Sequence, residues 1–538
     1  MVGLAAAFGS GAMTNSVAEI EDADCIFVIG SNTTSSHPLV ATRIYRAIAK
    51  GAKLVVADPR KIQLALKADA FVRQNLGTDV ALLNGMMHVI LKNNWHDQAF
   101  VEERCEGFEE FSKVIENYPP EKVSEITGVS ADDIVKIAEY YAKAKAASIV
   151  YCMGITQHTT GVDNVKSLAN LAMLTGNMGK ESTGVNPLRG QNNVQGACDM
   201  GGLPNVYSGY QAVNVIDNQT KFENAWGAKL SDQIGLTIPF ILSGLTEGKV
   251  KALYAVGENP MVSDPDVGHV KKALQKAELL VVQDIFLTPT AELAHVVLPG
   301  TSFAEKDGTF TNTERRVQLV RKAIEPVGEA RADWEIIQDL SNRFGYEMKY
   351  ESAEDIMREI SSLTPSYGGI TYQRLEGDGL AWPCPAKDHP GTKFLHKDKF
   401  ARGLGLFHAI EYKPPAEVVD DEYPFWLSTG RVHVHYHTGT MTRVSPSLHA
   451  EMPEGSLEMH PEDGDRLGVR QGEKVKVASR RGEITARVIL TDRVNPGVVF
   501  MPFHFAETCA NLLTNPAHDP TAKIPEYKVC AVKVEKAA

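Results

Sequence analysis

The densest chemistry in this sequence lies in nineteen residues: Gly184-Val-Asn-Pro-Leu-Arg189-Gly190-Gln191-Asn192-Asn193-Val-Gln195-Gly196-Ala-Cys198-Asp199-Met200-Gly201-Gly202. Five glycines let the backbone approach a ligand closely. The amides offer donors and acceptors suited to the edge of a heterocycle. The single Arg189 can grip a carboxylate with two parallel hydrogen bonds. The competing reading is a polar surface loop. Against it, the stretch has too few apolar residues for a core and too many glycines for a helix.

A second segment, Ser428-Thr429-Gly430-Arg431-Val-His433-Val-His435-Tyr436-His437-Thr438-Gly439-Thr440, spaces three histidines at i, i+2 and i+4. On a strand that spacing puts them on one face, as a metal site would need. No carboxylate is near, however, and Thr-Gly-Arg on one side with Thr-Gly-Thr on the other suggests a clamp for phosphate or pterin.

These segments must be held by elements that the apolar pattern outlines. Short apolar runs recur and end in polar or glycine-bearing loops: CIFVIG, KLVVA before Asp58-Pro59-Arg60, SIVYCMG, KALYAVG before Glu258-Asn259, ELLVVQ before Asp284, and HVVLPG before Thr301. Helical patterns lie between them. Ser130-Ala-Asp-Asp133 is a capping-box-like start, followed by Ile134, Ile137, Ala138 and Tyr141 on one face. Buried strands alternating with helices predict α/β domains with largely parallel sheets. The pattern also repeats. Phe27-Val-Ile-Gly30-Ser-Asn32 resembles Tyr254-Ala-Val-Gly257-Glu258-Asn259, and Asp58 and Asp284 follow at nearly equal distances. A third pair matches Ala68–Val72 with Ala294–Val297. Two such copies predict two nucleotide sites beyond the strand C-termini, phosphates at glycine loops and an acid free for a ring or ribose. Repetition is also a habit of α/β folds without such sites.

From about residue 410 the texture changes, after the break at Pro414-Pro415. KVKVAS, a turn at Arg481-Gly482, EITARVIL and GVVFMPF predict antiparallel strands of a barrel. Residues 340–405 read as an irregular connection.

Bulk composition sets limits. The chain has 538 residues, 43% hydrophobic and 23% charged, too long for one core and ordinary for a globular protein. No apolar stretch can span a membrane. A net charge of −12 argues against nucleic acid as a general partner. The seven cysteines share no CxxC spacing, which disfavours a disulfide framework or a cysteine-held zinc or iron–sulfur site and suggests a reducing cytosol.

GVNPLRGQNNVQGACDMG, the FVIGSN and VADPRK strand ends, LSTGR…HTGTMTR and PEYKVCAVKVE together resemble the molybdenum- or tungsten-dependent formate dehydrogenase catalytic subunits of the dimethyl-sulfoxide-reductase superfamily. The resemblance runs essentially end to end. It implies two doubly wound nucleotide-binding domains plus a C-terminal six-stranded double-psi β-barrel. It also implies a metal, Mo or W, held by two pterin guanine dinucleotides (bis-molybdopterin guanine dinucleotide). The expected divisions are 1–190 and 191–303 for the two dinucleotide-binding domains, 304–409 for a connecting region packing on an iron–sulfur domain, and 410–538 for the barrel. Arg189 looks like the arginine that orients formate. Gly190 and Gln191 look like neighbours of the metal centre. Asn32, Asp58, Arg60, Gly77 and Asp79 resemble one nucleotide site, and Gly154 and Gln157 resemble further cofactor contacts. Gly257, Glu258, Asn259, Gln283, Asp284, Thr301 and Asp307 resemble the other. Thr429, Arg431, His437, Thr438, Asn511 and Lys528 resemble pterin contacts of the barrel.

The family pattern places a [4Fe–4S] domain first, then a cysteine or selenocysteine metal ligand followed by His, then Val-x-Gly-Leu. Here the sequence opens Met1-Val2-Gly3-Leu4. Met1 thus stands where the family often has Val, and Gly9, Gly11 and Asn15 are expected near the metal centre or the packing beneath it. Two readings are open: a truncation, or a selenocysteine UGA codon taken as a stop. Either predicts a chain inactive alone, in a cytoplasmic enzyme. Its electrons would leave through an iron–sulfur, NAD-reducing, hydrogenase or ferredoxin partner. Rival readings are another molybdopterin oxidoreductase such as nitrate reductase, and a non-catalytic homologue of the kind in respiratory NADH dehydrogenase.

Overall fold

The computed structural model describes residues 1–537, which form two compact units. The first combines Met1–Gly190, Val262–Gly268 and the chain from Phe394 onward. The second combines Gln191–Met261 and His269–Lys393.

The first unit is built on a five-stranded, all-parallel sheet, in the order Ala70–Val72, Lys53–Ala57, Cys25–Ile29, Ala147–Tyr151, Gly184–Pro187. Every residue of Cys25–Ile29 and Ala147–Tyr151 is buried, because a central parallel strand has helices on both faces. Phe27 and Ile29 point into a core shared with the helices Asp79–Lys92, Ala131–Ala142 and Gly161–Leu174. Ile26 and Val28 point into a second core with Val40, Ile44 and Ala47 of the helix Pro38–Ala49. The helix Ala131–Ala142 starts as its sequence predicts. Ser130 Oγ accepts from the Asp133 N–H, and Ile134, Ile137, Ala138 and Tyr141 are the buried residues.

The opening stretch is stitched to the last strand of this sheet. Thr14 N–H donates to the Val185 carbonyl at 3.3 Å, Val185 N–H to Thr14 Oγ1 at 3.0 Å, and Asn15 N–H to Asn186 Oδ1 at 3.2 Å. A Cβ on Gly184 would stand 2.0 Å from Thr14 Oγ1, so only glycine admits this crossing. Asn15 therefore lies in the packing beneath the strand that leads to Arg189.

The C-terminal part of this unit is a closed six-stranded barrel, in the order Phe425–Gly430, Val498–Pro502, Ser456–Met459, Glu483–Leu490, Lys474–Ala478, Cys530–Lys536. The turn expected near Arg481-Gly482 is present, with Ser479 N–H bonded to the Gly482 carbonyl at 2.9 Å. The expected antiparallel pairing holds for Lys474–Ala478 with Glu483–Leu490, and the barrel contains parallel pairs as well. Phe425–Gly430 pairs with Val498–Pro502 in parallel, and so does Ser456–Met459 with Glu483–Leu490. Alternating sequence fixes which face of a strand is inside, whereas strand direction is set by the long connections.

The second unit holds a three-stranded parallel sheet, in the order Val296–Pro299, Leu279–Asp284, Ala252–Val256. This is the same third–second–first order as the opening strands of the first sheet, so the sequence repeat is a structural one. An antiparallel pair, Gly308–Thr311 with Arg316–Val320, follows. The fully buried Arg315 donates to the carbonyls of Trp382, Thr392 and Lys393 and anchors the loops there. The region expected to be irregular contains the helix Ala353–Leu363, capped by Ser352, whose Oγ accepts from Asp355 N–H. Among the described residues no helix is long and apolar enough to cross a membrane.

Candidate active site and cofactor cradle

In a sheet of this strand order the crevice opens where neighbouring connections leave in opposite directions, here between Cys25–Ile29 and Ala147–Tyr151. The two strand ends meet there backbone to backbone. Gly154 N–H donates to the Gly30 carbonyl at 3.0 Å, and a Cβ on Gly154 would lie 2.5 Å from that oxygen. Asn32 follows as the cap of the short helix Thr33–Ser36, its Oδ1 accepting from Thr34 Oγ1.

Arg189 stands just past the strand Gly184–Pro187 at the same end of the sheet. Its Nη2 donates to the Gly11 carbonyl at 3.3 Å, which ties Gly11 to the site. Its own carbonyl lies 2.6 Å from His37 Nε2. The next carbonyl, of Gly190, accepts from Arg431 Nη1 at 2.6 Å. Lys528 reaches the same region from the barrel: its Nζ donates to the Thr429 carbonyl at 2.6 Å and its N–H to the Gln157 carbonyl at 3.4 Å.

The electrostatics of this end are one-sided. Burial pulls the Lys528 ammonium down to about 8; the Arg431 charge acts the same way, while Cys152 and Asp58 oppose it. Burial takes His504 down to about 3 despite its bond to the His437 carbonyl, and Arg431 adds to the fall. His37 is also lowered, first by burial and further by Arg431. Burial raises the Cys152 thiol, against the pull of Arg431, Lys528 and Arg189. Arg431 thus acts on all four groups, behind the larger effect of burial. Among the described residues neither Arg431 nor Lys528 has a carboxylate within ion-pair distance. Two cationic side chains brought together in a crevice suit an anionic ligand.

The acidic side of the cradle lies beyond Lys53–Ala57. Burial raises Asp58 to about 6, although the Arg60 N–H donates to its Oδ1 at 2.9 Å. Asp79 is also raised by burial, with His158 and a 3.0 Å bond from Gln74 Nε2 opposing. Gly77, at φ +77°, lies against Pro415. Arg60 is committed elsewhere: its guanidinium grips Glu458 of the barrel through two bonds of 2.6 and 2.5 Å and stacks on Phe500.

The barrel supplies the remaining expected residues. Thr429 Oγ1 donates to the Tyr527 carbonyl at 2.8 Å, and the Thr438 and Thr440 hydroxyls are 2.9 Å apart. Asn511 Nδ2 donates to the carbonyls of Val262 and Ser263 at 2.8 and 3.0 Å, and its Oδ1 accepts from Thr514 Oγ1, so this amide positions backbone. The three-histidine strand is corrected. Residues 431–441 form turns and bends rather than a strand; His433 is exposed, and His435 is buried between Thr442 Oγ1 and the Met452 carbonyl. His437, at φ +47°, presents its carbonyl to His504. His504 and His37 escaped the sequence reading because each acts on a backbone carbonyl far along the chain, which leaves no local pattern.

In the second unit, Gly257 N–H donates to the Gln283 carbonyl at 2.8 Å, and a Cβ on Gly257 would meet open space. Glu258 Oε1 accepts from the Asn259 N–H, and Asn259 Oδ1 accepts from Thr290 Oγ1 at 2.7 Å. Gln283 is held by Tyr254 and Asp333. Asp284 is raised by burial, which the Ile285 and Phe286 N–H groups oppose. Asp307 Oδ1 accepts from the Lys322 N–H. Thr301 Oγ1 is buried and has no partner among the described residues, as a hydroxyl aimed at a ligand would be. Gln191 is half-buried at the start of this unit. Further along the amide-rich loop, Gln195, Tyr210 and Tyr367 all donate to the buried Asp199, at 2.8, 2.7 and 2.6 Å, and Asn193 Oδ1 accepts from the Thr311 N–H at 2.8 Å. Among the described residues no cluster of three His, Cys, Asp or Glu side chains could hold a metal.

In the first unit the glycine cradle and the cationic crevice fit an anionic dinucleotide cofactor, and in the second the orphan Thr301 hydroxyl fits a ligand of its own. Comparison with known proteins agrees. A family model described as molybdopterin oxidoreductase matches residues 4–343, and one described as molydopterin dinucleotide binding domain matches residues 425–531. The chain is 55% identical over 540 residues to the F420-dependent formate dehydrogenase 1 subunit alpha of Methanococcus maripaludis, covering 100% of this chain and 80% of that protein. It is 56% identical to the F420-dependent formate dehydrogenase subunit alpha of Methanocaldococcus jannaschii, with the same coverage. Against formate dehydrogenase H of Escherichia coli it is 44% identical, covering 100% and 76%. In fold it is similar to acetylene hydratase from Pelobacter acetylenicus, with a TM-score of 0.76 at 22% identity, over 100% of this chain and 80% of that one. The chain therefore belongs to the molybdopterin oxidoreductase family.

Proposed function

We propose that this chain is the catalytic subunit of a formate dehydrogenase, oxidising formate to carbon dioxide with release of two electrons and a proton. The observation that carries this reading is Arg189, set at a strand end with Arg431 bonded to the next carbonyl and Lys528 nearby. Its guanidinium would hold the carboxylate by two parallel bonds and fix the direction of the C–H bond, removing an orientational barrier. Formate is an anion and carbon dioxide is neutral, so the same attraction that binds the substrate lapses in the product. Lys528, Arg431 and Arg189 keep the surroundings cationic, which favours the charged substrate over water and neutral solutes.

A molybdopterin guanine dinucleotide pair carrying molybdenum or tungsten would supply the two-electron acceptor. Asn32, Asp58, Gly77, Asp79, Gly154 and Gln157 would hold one nucleotide. Gly257, Glu258, Asn259, Gln283, Asp284, Thr301 and Asp307 would hold the other. Asp58 and Asp284, each raised by burial, would accept from guanine N–H groups. Thr429, Arg431, His437, Thr438 and Lys528 would face the pterin side. An iron–sulfur relay would lie outside this sequence. The two archaeal relatives are F420-dependent by name, which favours F420 as the acceptor of the assembled cytoplasmic enzyme.

The test is an anaerobic assay of the assembled, cofactor-loaded enzyme with formate and either F420 or a viologen dye. Arg189→Lys should keep cofactor content while lowering kcat/KM for formate by about 100-fold, since an ammonium cannot make the bidentate bond. Nitrate reduction without formate oxidation would replace this reading by its nearest rival.

A further inference from the structure

The crevice also contains a histidine, His37, in contact with the Arg189 backbone. His37 sits between the short helix Thr33–Ser36 and the helix Pro38–Ala49, one turn beyond the first strand of the sheet. Its backbone is doubly fixed: the N–H donates to the Thr33 carbonyl at 2.8 Å and the carbonyl accepts from Ala41 at 3.0 Å. Pro38 further restricts residue 37 to a narrow range of conformations. The ring is thus a rigid arm.

That arm ends on the Arg189 carbonyl, 2.6 Å from Nε2. A carbonyl oxygen can only accept, so Nε2 carries the proton. Nδ1 is then an acceptor, buried and without a partner among the described residues. Burial lowers the ring's affinity for a second proton and the Arg431 charge adds to this, while the bond to the Arg189 carbonyl opposes it. A buried nitrogen left without a partner costs stability, and the bond at the other edge is the benefit that offsets it. The following carbonyl, of Gly190, is held by Arg431. A Cβ on Gly190 would lie 2.6 Å from Arg431 Nη2, so the contact is close all along this turn. Two consecutive carbonyls at the root of the Arg189 side chain are therefore gripped by two side chains from different elements.

We propose that His37 is a positioning residue for Arg189, fixing with Arg431 the two consecutive peptide planes that follow the arginine and so the backbone from which its side chain would reach the substrate. The inference rests on the reading of Arg189 as the formate-binding group. It predicts that the position of one N–H donor matters, rather than polarity or ring volume. Gln carries an amide nitrogen at the place of Nε2. Asn carries its own at the place of Nδ1, one atom short.

The experiment compares His37→Gln, His37→Asn and His37→Leu in the cofactor-loaded enzyme, by formate kinetics and by hydrogen exchange of the segment 188–192. His37→Leu and His37→Asn should lower kcat/KM for formate by about tenfold or more, mainly through KM, and should speed exchange in that segment. His37→Gln should return to within about threefold of the parent, the scale of one hydrogen bond, with exchange restored. Equal loss in all three variants would assign the ring to packing and overturn the proposal. Unchanged kinetics and exchange in His37→Leu would overturn it as well. Failure of the formate reading looks different: Arg189→Lys would then leave formate kinetics untouched, while exchange in 188–192 would still respond to His37→Leu and His37→Asn but not to His37→Gln.

Discussion

Lys528 illustrates how a single residue can be unfavourable for the empty protein, and the proposed cofactor would turn that cost into a gain. Its ammonium has one carbonyl partner, at Thr429, and an arginine for a neighbour. In the unfolded chain its pKa is the ordinary 10.5; in the fold it is about 8. Below pH 8 both states hold the proton, and the folded state bears the full cost of the buried charge. As pH rises from 8 to 10.5 the folded state releases its proton first, so the cost fades and this contribution to stability improves. An anionic cofactor beside Lys528 would raise the pKa again and reverse the sign. Lys528→Met should therefore raise the Tm of the cofactor-free chain at pH 7, and this advantage should shrink between pH 8 and 10.5. The same variant should lose cofactor on desalting, measured as metal and pterin per chain. A variant that is no more stable at pH 7, or that keeps its cofactor fully, would contradict this account.

Elements place such residues by backbone fit, and the tightest fit is where the turns after Cys25–Ile29 and Ala147–Tyr151 touch. A methyl group at residue 154 would press on the Gly30 carbonyl at 2.5 Å, and both partners are backbone that cannot swing aside. Gly154→Ala should cost about 1–3 kcal/mol in urea unfolding, the usual range for overpacking. Gly308→Ala, where the added methyl meets open space, should stay within about 0.5 kcal/mol of the parent. Equal effects would remove the argument that the crevice is set by glycine contact. These turns were legible in the sequence because buried parallel strands read as unbroken apolar runs that end abruptly at glycine. The helix after Ser130 was legible from its cap and apolar spacing. The helix Ala353–Leu363 carries the same kind of cap at Ser352, but turn-rich neighbours on both sides hid it. The parallel pairs of the barrel were not legible, since strand direction depends on connections rather than on the strands. Arg189 stood out by the composition of its loop, whereas the field around it comes from Arg431 and Lys528, remote in sequence and joined to it only by folding.

At the scale of the molecule the first unit is discontinuous, and its two long stretches are fastened at many points. Cys105–Glu106 pairs in parallel with Gly405–Leu406. Asn84 and Asn170 donate to the carbonyls of Ile410 and His408, each at 2.8 Å, and Tyr412 N–H reaches the Tyr118 hydroxyl at 2.7 Å. Thr14 accepts from Leu395, Arg104 donates to the His396 carbonyl, and Arg60 grips Glu458. None of these bonds depends on the covalent path between residues 190 and 394. Closing that path costs conformational entropy that grows only slowly with its length, so the path can be opened at modest expense. Between the helices Ile216–Trp226 and Ile238–Thr246, Lys229 has a side chain 93% exposed. An engineered protease site after Lys229 should be cut cleanly in the native protein. The two fragments should co-elute on size exclusion in native buffer and separate only in denaturant. Separation without denaturant would mean that the sheet and the barrel do not form one body. Co-elution would show that the cationic crevice, which draws Arg189 from one stretch and Arg431 and Lys528 from the other, is held by packing rather than by the chain that links them.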